Sequence, residues 1–454
     1  LFIKLILESG AVIQENLSLD AGGAPAADGW RGLAGERSRA ITIDYNFGLH
    51  RGQAHLNFQT ALPASRREPL LLVNAPLMPP ASETFLLPPA APRVKLRRKM
   101  DNASRNRVTY SPSWTLIPTH YCRNACGYCV FVERVGPNAG LLAPDVACGE
   151  IERAHASGAT ELLIMSGEGV ETSGPIRAAL RLHGFSSYIT YLIHLSRAAL
   201  ERDLLPHVNI GNMTEDELRA LREVVPSMGM MLETTDAGLR NKPAHARAPD
   251  KEPSRRLQTL VAAGLARVPF TTGLLVGIGE AETAREETLR SIAQIQASYG
   301  HIQEVIIQPF TPHAETEMSA CAPPSFAELR DTVKMAREIL PAEVCVQIPP
   351  NIAPRFAELI LAGARDLGGV SPDGDRINPA ERWLAPATYA AALAPHRFTL
   401  QARLAVHEKW TDARWLSAET LRATERARRR LPQAHEGVAT EPSATTKQES
   451  ELHV

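Results

Sequence analysis

Between residues 110 and 375, short apolar runs alternate with longer stretches in which apolar residues recur every three or four positions. The short runs predict strands and the longer stretches predict amphipathic helices. Residues 114–117 predict a strand that runs straight into a cysteine-bearing loop. Helical spacing covers 144–156, and the apolar run 161–165 is a strand ending in Ser166-Gly167-Glu168. A helix over 187–201 is followed by a strand over 204–210, where Gly211 stops it. Thr214 starts the next helix, with Glu217 three residues on to complete a capping box. The pattern then predicts a strand over 228–232, a helix over 253–264 that ends at a glycine, a strand over 268–278 and a helix over 281–299. It continues with a strand over 304–308, a Ser325-capped helix to residue 340, a strand over 344–348 and a helix over 353–362.

This strand-then-helix rhythm at intervals of roughly thirty residues argues for a parallel sheet covered by helices. Seven or eight such units between 110 and 375 predict an α/β fold, a (β/α) TIM-type barrel. An open doubly wound sheet is the competing architecture, but no Gly-x-Gly-x-x-Gly loop follows the first strand. Residues 1–105 are expected to form a poorly ordered, proline-rich extension, and 106–378 the barrel. Residues 379–432 are expected to form a helical C-terminal segment over 386–394, 400–410 and 416–431, bracing the barrel. The polar tail, 433–454, is expected to be disordered.

Composition narrows the function classes. The 454 residues carry a formal net charge of −1, which supplies no attraction for nucleic acid or an anionic membrane. No apolar run reaches the length of a membrane span. The apolar start, Leu1 to Leu7, is too short for a signal peptide with its cleavage region. Six cysteines in a chain this long, three of them in one loop, do not make a disulfide framework. A cytoplasmic, reducing location is expected. Cys148, Cys321 and Cys345 have no partner at ligand spacing and read as small hydrophobes.

The loop after the first strand reads Cys122-Arg-Asn-Ala-Cys126-Gly-Tyr128-Cys129. Thiolates suit zinc, copper(I) and iron–sulfur clusters. A structural zinc site calls for a closed set of four ligands, and no second cysteine pair follows here. A 4Fe-4S cluster held by three cysteines would keep one iron open for a small molecule. Other polar residues fall at predicted strand ends: Glu168, His207 with Asn209, Glu233, Glu280, Gln308 and Asn351. In a (β/α) barrel that placement brings them to one site. Each also has a plain reading: a solvated turn for Glu168, a helix N-terminal acid for Glu233, a satisfied structural polar group for the others.

The cysteine loop, with an aromatic residue before its third cysteine, resembles that of the radical S-adenosylmethionine (radical SAM) superfamily. The resemblance implies a 4Fe-4S cluster held by Cys122, Cys126 and Cys129, with S-adenosylmethionine on the open iron. It further implies cofactor contacts at Tyr128, Gly167 and Glu168, with the cofactor's ribose at Glu233 and its adenine against Gly277-Ile278. Pro249-Asp250-Lys251 with Arg255-Arg256-Leu257, Pro269 to Gly273, Ile302 to Gln308, Gln347-Ile-Pro-Pro-Asn351 and Leu367-Gly-Gly-Val-Ser-Pro372 narrow the likeness. Together they resemble the first subunit of 7,8-didemethyl-8-hydroxy-5-deazariboflavin (FO) synthase, the CofG family, from about Tyr110 to about Trp410. One departure is Gly169-Val170, where that family's pattern has Arg-Pro. The resemblance implies an ammonia-releasing lyase that closes the deazaflavin ring on a ribityl-bearing product of tyrosine and a diaminouracil. Substrate contacts are expected from His207, Asn209, Gln303, Gln308 and Asn351. The implied partners are a sister radical SAM subunit and a reductant such as ferredoxin or flavodoxin. Rival readings are that sister activity, another radical SAM enzyme and a non-catalytic metal-binding protein.

Overall fold

The structure is a computed structural model that describes residues 106–433 and the backbone of four short strands nearer the N-terminus. Those four form two antiparallel pairs, Phe2–Ile6 with Val12–Asn16 and Ile43–His50 with Gln53–Thr60. The rest of the expected extension, and the expected tail beyond residue 433, lie outside the described residues.

Eight parallel strands close into a barrel: β1 (Arg107–Leu116), β2 (Glu161–Met165), β3 (Leu205–Asn209), β4 (Ser227–Gly229), β5 (Phe270–Val276), β6 (Ile302–Pro309), β7 (Cys345–Gln347) and β8 (Asp366–Val370). Each pairs with the next, and β8 returns to pair with β1 at Asp366↔Thr109 and Val370↔Pro112. That last pairing rules out the open sheet. The helices over the barrel are α1 (Pro144–Ala156), α2 (Gly174–Leu182), α3 (Tyr188–Leu200), α4 (Glu215–Arg222), α5 (Pro253–Leu265), α6 (Glu282–Tyr299), α7 (Phe326–Ile339) and α8 (Phe356–Ala362). Capping boxes start α3, α4 and α7, at Ser187/Thr190, Thr214/Glu217 and Ser325/Glu328.

Strand alternation sorts the side chains into two layers. On β1, Val108, Tyr110, Trp114 and Leu116 are buried, while Ser113 and Thr115 line the lumen. The larger apolar side chains of β1 thus pack on the sheet's outer surface, while the lumen mixes polar groups with apolar ones such as Leu163, Met165, Leu275 and Ile306. Its lower part holds Ser113, Glu161, His207, Thr271, Glu304 and Gln347, where barrels of this type ordinarily stack branched aliphatics.

The C-terminal segment departs from the helical expectation. α9 (Pro386–Leu393) and α10 (Ala418–Arg428) form, but the stretch expected as a helix over 400–410 contains a strand, β9 (Thr399–Ala402), and a 3-10 turn at Glu408–Trp410. Leu400 and Ala402 are buried while Thr399 and Gln401 are exposed, a period of two. β9 pairs with the first half of β1, Thr399↔Arg107 to Ala402↔Tyr110, on the edge opposite β8. The chain then crosses the N-terminal mouth of the barrel. Arg403 N donates to Tyr110 O (2.7 Å), and Ala405 O accepts from Ser227 Oγ (3.2 Å) and Gln303 Nε2 (3.1 Å). The segment closes the barrel's floor.

Candidate active site

The cysteine loop leaves the C-terminal end of β1 and is tied down by backbone bonds. Arg123 N donates to Glu168 O (2.9 Å), Ala125 N to Arg247 O (2.8 Å) and Gly127 N to Ala244 O (3.1 Å). The Arg123 guanidinium grips Asp250, with Nε 2.6 Å from Oδ2, and Asp250 N donates to Asn124 Oδ1 (3.0 Å). Gly167 presses against this loop: a Cβ there would sit 2.3 Å from Cys122 Cβ, so only glycine fits. The next N–H, of Glu168, donates to Cys122 Sγ (3.2 Å).

The three cysteines line the upper end of a cavity of about 360 Å³. Burial pushes all three thiols up, Cys126 to about 12, so a metal must drive their deprotonation. A zinc ion with Zn–S bonds of about 2.3 Å would draw its thiolates to within about 3.8 Å of one another. Among the described residues, the triad of ligand side chains gathered within 4.8 Å is Glu304, Asp366 and His407, not the three cysteines. The three thiols are thus not drawn together as around a single zinc ion. A donated N–H on one sulfur, a loop that carries all three thiols and an adjacent cavity fit a 4Fe-4S cluster.

Below the thiols, two carboxylates and two cations are buried together. Glu168 follows β2, Glu233 follows β4, Lys251 precedes α5 and Arg256 lies in its first turns. Glu168 Oε1 accepts from Arg256 Nη1 (2.8 Å) and lies 3.4 Å from Lys251 Nζ, and its Oε2 accepts from Asn212 N (3.3 Å). Glu233 Oε1 accepts from Lys251 Nζ (2.6 Å), while Oε2 accepts from Tyr128 Oη (2.6 Å) and pairs with His245 Nε2 (2.9 Å). Glu233 holds a left-handed backbone, φ 66°, that turns its carboxylate into this cluster. Burial alone would raise the Glu233 pKa, but Lys251, His245 and Arg256 hold it well below the usual carboxylate range. Burial works against Lys251 and Arg256 as cations, yet Glu168 and Glu233 raise both above their ordinary values. Glu233, Lys251 and Arg256 remain ionised, and Glu168 pairs with both cations beside the thiols.

The lumen brings most of the expected site residues together. Cys122, Cys126, Tyr128, Cys129, Gly167, Glu168, His207, Asn209, Glu233, Gln308 and Asn351 all line one cavity. Asn351 donates to Asp375 Oδ2 (2.7 Å), and its Oδ1 is buried without a partner. Three expected residues stand outside the lining. Gln303 sits at the start of β6, where it donates to Thr271 Oγ1 (3.3 Å) and Ala405 O and accepts from His407 N (3.0 Å). Its polar groups are consumed by the floor. Gly277 and Ile278 stand behind the cavity wall: both N–H groups donate to Glu280 (2.9 and 2.8 Å), and the Ile278 side chain packs with Leu275, Phe310 and Met318. Lys251, Arg256 and His245 were not singled out from sequence for a role. Their signal was two cations and a histidine more than a hundred residues from the cysteine loop, which spacing cannot connect.

No family model matches the chain. Among solved structures, the FeFe-hydrogenase maturase HydG from Carboxydothermus hydrogenoformans superposes with a TM-score of 0.52 at 18% identity, over 65% of this chain and 68% of that one. Closed barrel, three-cysteine loop and buried strand-end carboxylates define a radical SAM enzyme, a class that works with a 4Fe-4S cluster and S-adenosylmethionine. Sequence relatives narrow this further. The chain is 46% identical over 280 residues to the 7,8-didemethyl-8-hydroxy-5-deazariboflavin synthase of Methanoculleus marisnigri, 62% of this chain and 83% of that protein. It is 42% identical to the synthase of Methanococcoides burtonii (68% and 92% covered) and 39% identical to that of Methanothermobacter thermautotrophicus (70% and 97%). The chain belongs to the 7,8-didemethyl-8-hydroxy-5-deazariboflavin (FO) synthase family, as the CofG-type subunit.

Proposed function

We propose that this chain closes the third ring of the deazaflavin chromophore. It converts 5-amino-5-(4-hydroxybenzyl)-6-(D-ribitylimino)-5,6-dihydrouracil and S-adenosylmethionine to FO, 5'-deoxyadenosine, methionine and ammonium. In this balance the substrate loses ammonia and two hydrogens. One hydrogen ends on 5'-deoxyadenosine and one on the ammonium ion. The observation that carries the reading is one lumen holding three thiols above a polar chamber, with two carboxylates, each paired with a cation, between them.

Cys122, Cys126 and Cys129 would hold the cluster, and Glu168 and Glu233 the amino and ribose ends of S-adenosylmethionine. When bound, these cofactors supply a 5'-deoxyadenosyl radical that removes hydrogen from the substrate. The chain's own residues bind, orient and exclude water. Tyr128 and His245 fix the Glu233 carboxylate, and Arg256, anchored to Met231 O (2.7 Å), fixes Glu168. Asn209, Gln308 and Asn351 supply donors and acceptors for the pyrimidine edge. The barrel wall and the sealed floor keep solvent from the reacting carbons. The sister subunit would supply the substrate, and a ferredoxin or flavodoxin of a reducing cytoplasm would supply the electron.

The test uses anaerobically reconstituted protein with the coupled substrate and a chemical reductant. Deazaflavin fluorescence, 5'-deoxyadenosine and one equivalent of ammonium are expected together. Formation of 5'-deoxyadenosine with no deazaflavin would reject ring closure, and absence of cluster sulfide would reject the class of chemistry.

A further inference from the structure

The lower lumen holds two hydrogen-bond acceptors that the protein leaves unsatisfied. Glu161 opens β2 with its side chain in the lumen, and the residue is only 7% exposed. Its Oε1 accepts from Ser113 Oγ (3.1 Å), and Oε2 has no partner among the described residues. No cation pairs with it: Arg403, the nearest candidate on the floor, is held by Asp366 (2.6 and 2.8 Å) and Glu304 (2.8 Å). That oxygen faces the lumen, where a ligand that brings a donor can replace water on it.

His207, on the neighbouring β3 and 8% exposed, supplies the second acceptor. Ser227 Oγ gives its proton to Ala405 O (3.2 Å), so it accepts from His207 Nδ1–H across 2.8 Å. With the proton on Nδ1, facing Ser227 Oγ, Nε2 presents a lone pair. Burial lowers the His207 pKa, which keeps the ring neutral. Nε2 has no partner among the described residues, and the space before it is held open by a glycine. A Cβ at Gly229 would sit 2.8 Å from Nε2.

A group that fits this floor must bring donors. An anion is repelled by Glu161. On the substrate of the proposed function, the donors of this kind are the ribityl hydroxyls. A neutral chain of hydroxyls satisfies both acceptors. We infer that Glu161 and His207 form a polyol subsite on the lumen floor, which takes the ribityl chain of the substrate. This rests on the proposed function and adds an orientation to it. β2 is about 13 Å long at 3.3 Å per residue, and Glu161 and the loop bearing Glu168 lie at opposite ends of it. With its ribityl chain at Glu161, the substrate presents its aromatic end upward to the thiols.

Two ligands and two variants test this: the coupled substrate, and the same compound with a methylimino group in place of the ribitylimino chain. Wild-type protein should bind the ribityl compound more tightly. Glu161→Gln replaces an acceptor oxygen with a donor amide at equal size. It should weaken binding of the ribityl compound about ten- to a hundredfold and leave the methyl analogue within about twofold. Gly229→Ala places a methyl against His207 Nε2 and should shrink the same preference, so the test survives if Glu161→Gln fails to fold. A wild-type protein that neither binds nor converts the substrate overturns the proposed function and the subsite with it. A wild-type protein that makes deazaflavin, with variants that keep the full preference or lose both ligands equally, overturns the subsite alone.

Discussion

Cys126 sits midway in the cluster loop, half-buried and within the field of the Glu233 and Lys251 pair. Cys321 is exposed, and Cys345 lies in β7 far down the barrel from the loop. Cys126→Ala should therefore abolish the visible absorbance and the iron of the reconstituted protein. Cys321→Ala and Cys345→Ala should keep both, and loss of iron in either would show a second metal site. A different residue sets a pH limit on stability. His301 is wholly buried beside Phe270 and Tyr299, and burial lowers its pKa to about 3. In the unfolded chain the same imidazole titrates near 6.5. The folded form is thus the neutral one, its stabilising contribution is complete above pH 6.5, and it is lost as pH falls toward 3. Across that window the unfolded state binds one more proton at this position, about 1.4 kcal/mol per pH unit. Denaturant unfolding of wild type and His301→Phe between pH 6.5 and 5 should differ by that slope. Parallel curves would place the titrating group elsewhere.

At the scale of elements, the floor segment is the least expected feature and the one most open to a stability test. Arg403, half-buried just after β9, joins Glu304 at 2.8 Å to Asp366 at 2.6 Å, and both carboxylates are buried. Thr109 and Gly368 N complete the shell around Asp366. Removing one member of such a set leaves an uncompensated charge, which costs about 3–5 kcal/mol. Arg403→Met should lower the unfolding free energy by that order in a denaturant titration. A loss under about 1 kcal/mol would mean that the carboxylates find protons or water instead. This segment also shows where sequence reading stops. Leu400 to Trp410 carries enough apolar residues to pass for a helix, and the period-two burial of β9 appears only once β1 provides its pairing edge. β8 was equally hard to see, because Gly368-Gly369 reads as a turn; Gly368 does take a left-handed φ of 75°, inside the strand. α2 was missed because Ser173-Gly174-Pro175 looks like loop, although Ser173 caps it and proline suits its first turn. By contrast, Thr214 with Glu217 and Ser325 with Glu328 announced their helices, since a capping box is local chemistry. The same division holds in the site. Cysteines three and four residues apart are legible, whereas Lys251 between Glu168 and Glu233 is a product of the closed barrel.

At the scale of the whole barrel, the lumen is a gradient from soft ligands at the C-terminal mouth to hydrogen-bond acceptors at the floor. Thiols come first, then the paired set of Glu168, Glu233, Lys251 and Arg256, then Asn209 and Gln308, then Glu161 and His207. Order along one axis implies separable roles. Glu168 is next to the thiols and holds Arg256, so Glu168→Gln should weaken S-adenosylmethionine binding about ten- to a hundredfold, the effect of losing one buried charge-assisted bond. Gln308 lies a step lower, next to the last residue of β6, and lines the same cavity. Gln308→Ala should change something else: the yield of deazaflavin per 5'-deoxyadenosine. A substrate held loosely at this level lets the radical be quenched by other hydrogens, so the ratio of product to 5'-deoxyadenosine should fall severalfold. Both products can be counted in the same anaerobic reaction, alongside equilibrium dialysis of labelled S-adenosylmethionine. If Gln308→Ala weakens S-adenosylmethionine binding while Glu168→Gln lowers only the product ratio, the axis runs the other way and the substrate enters above the cofactor.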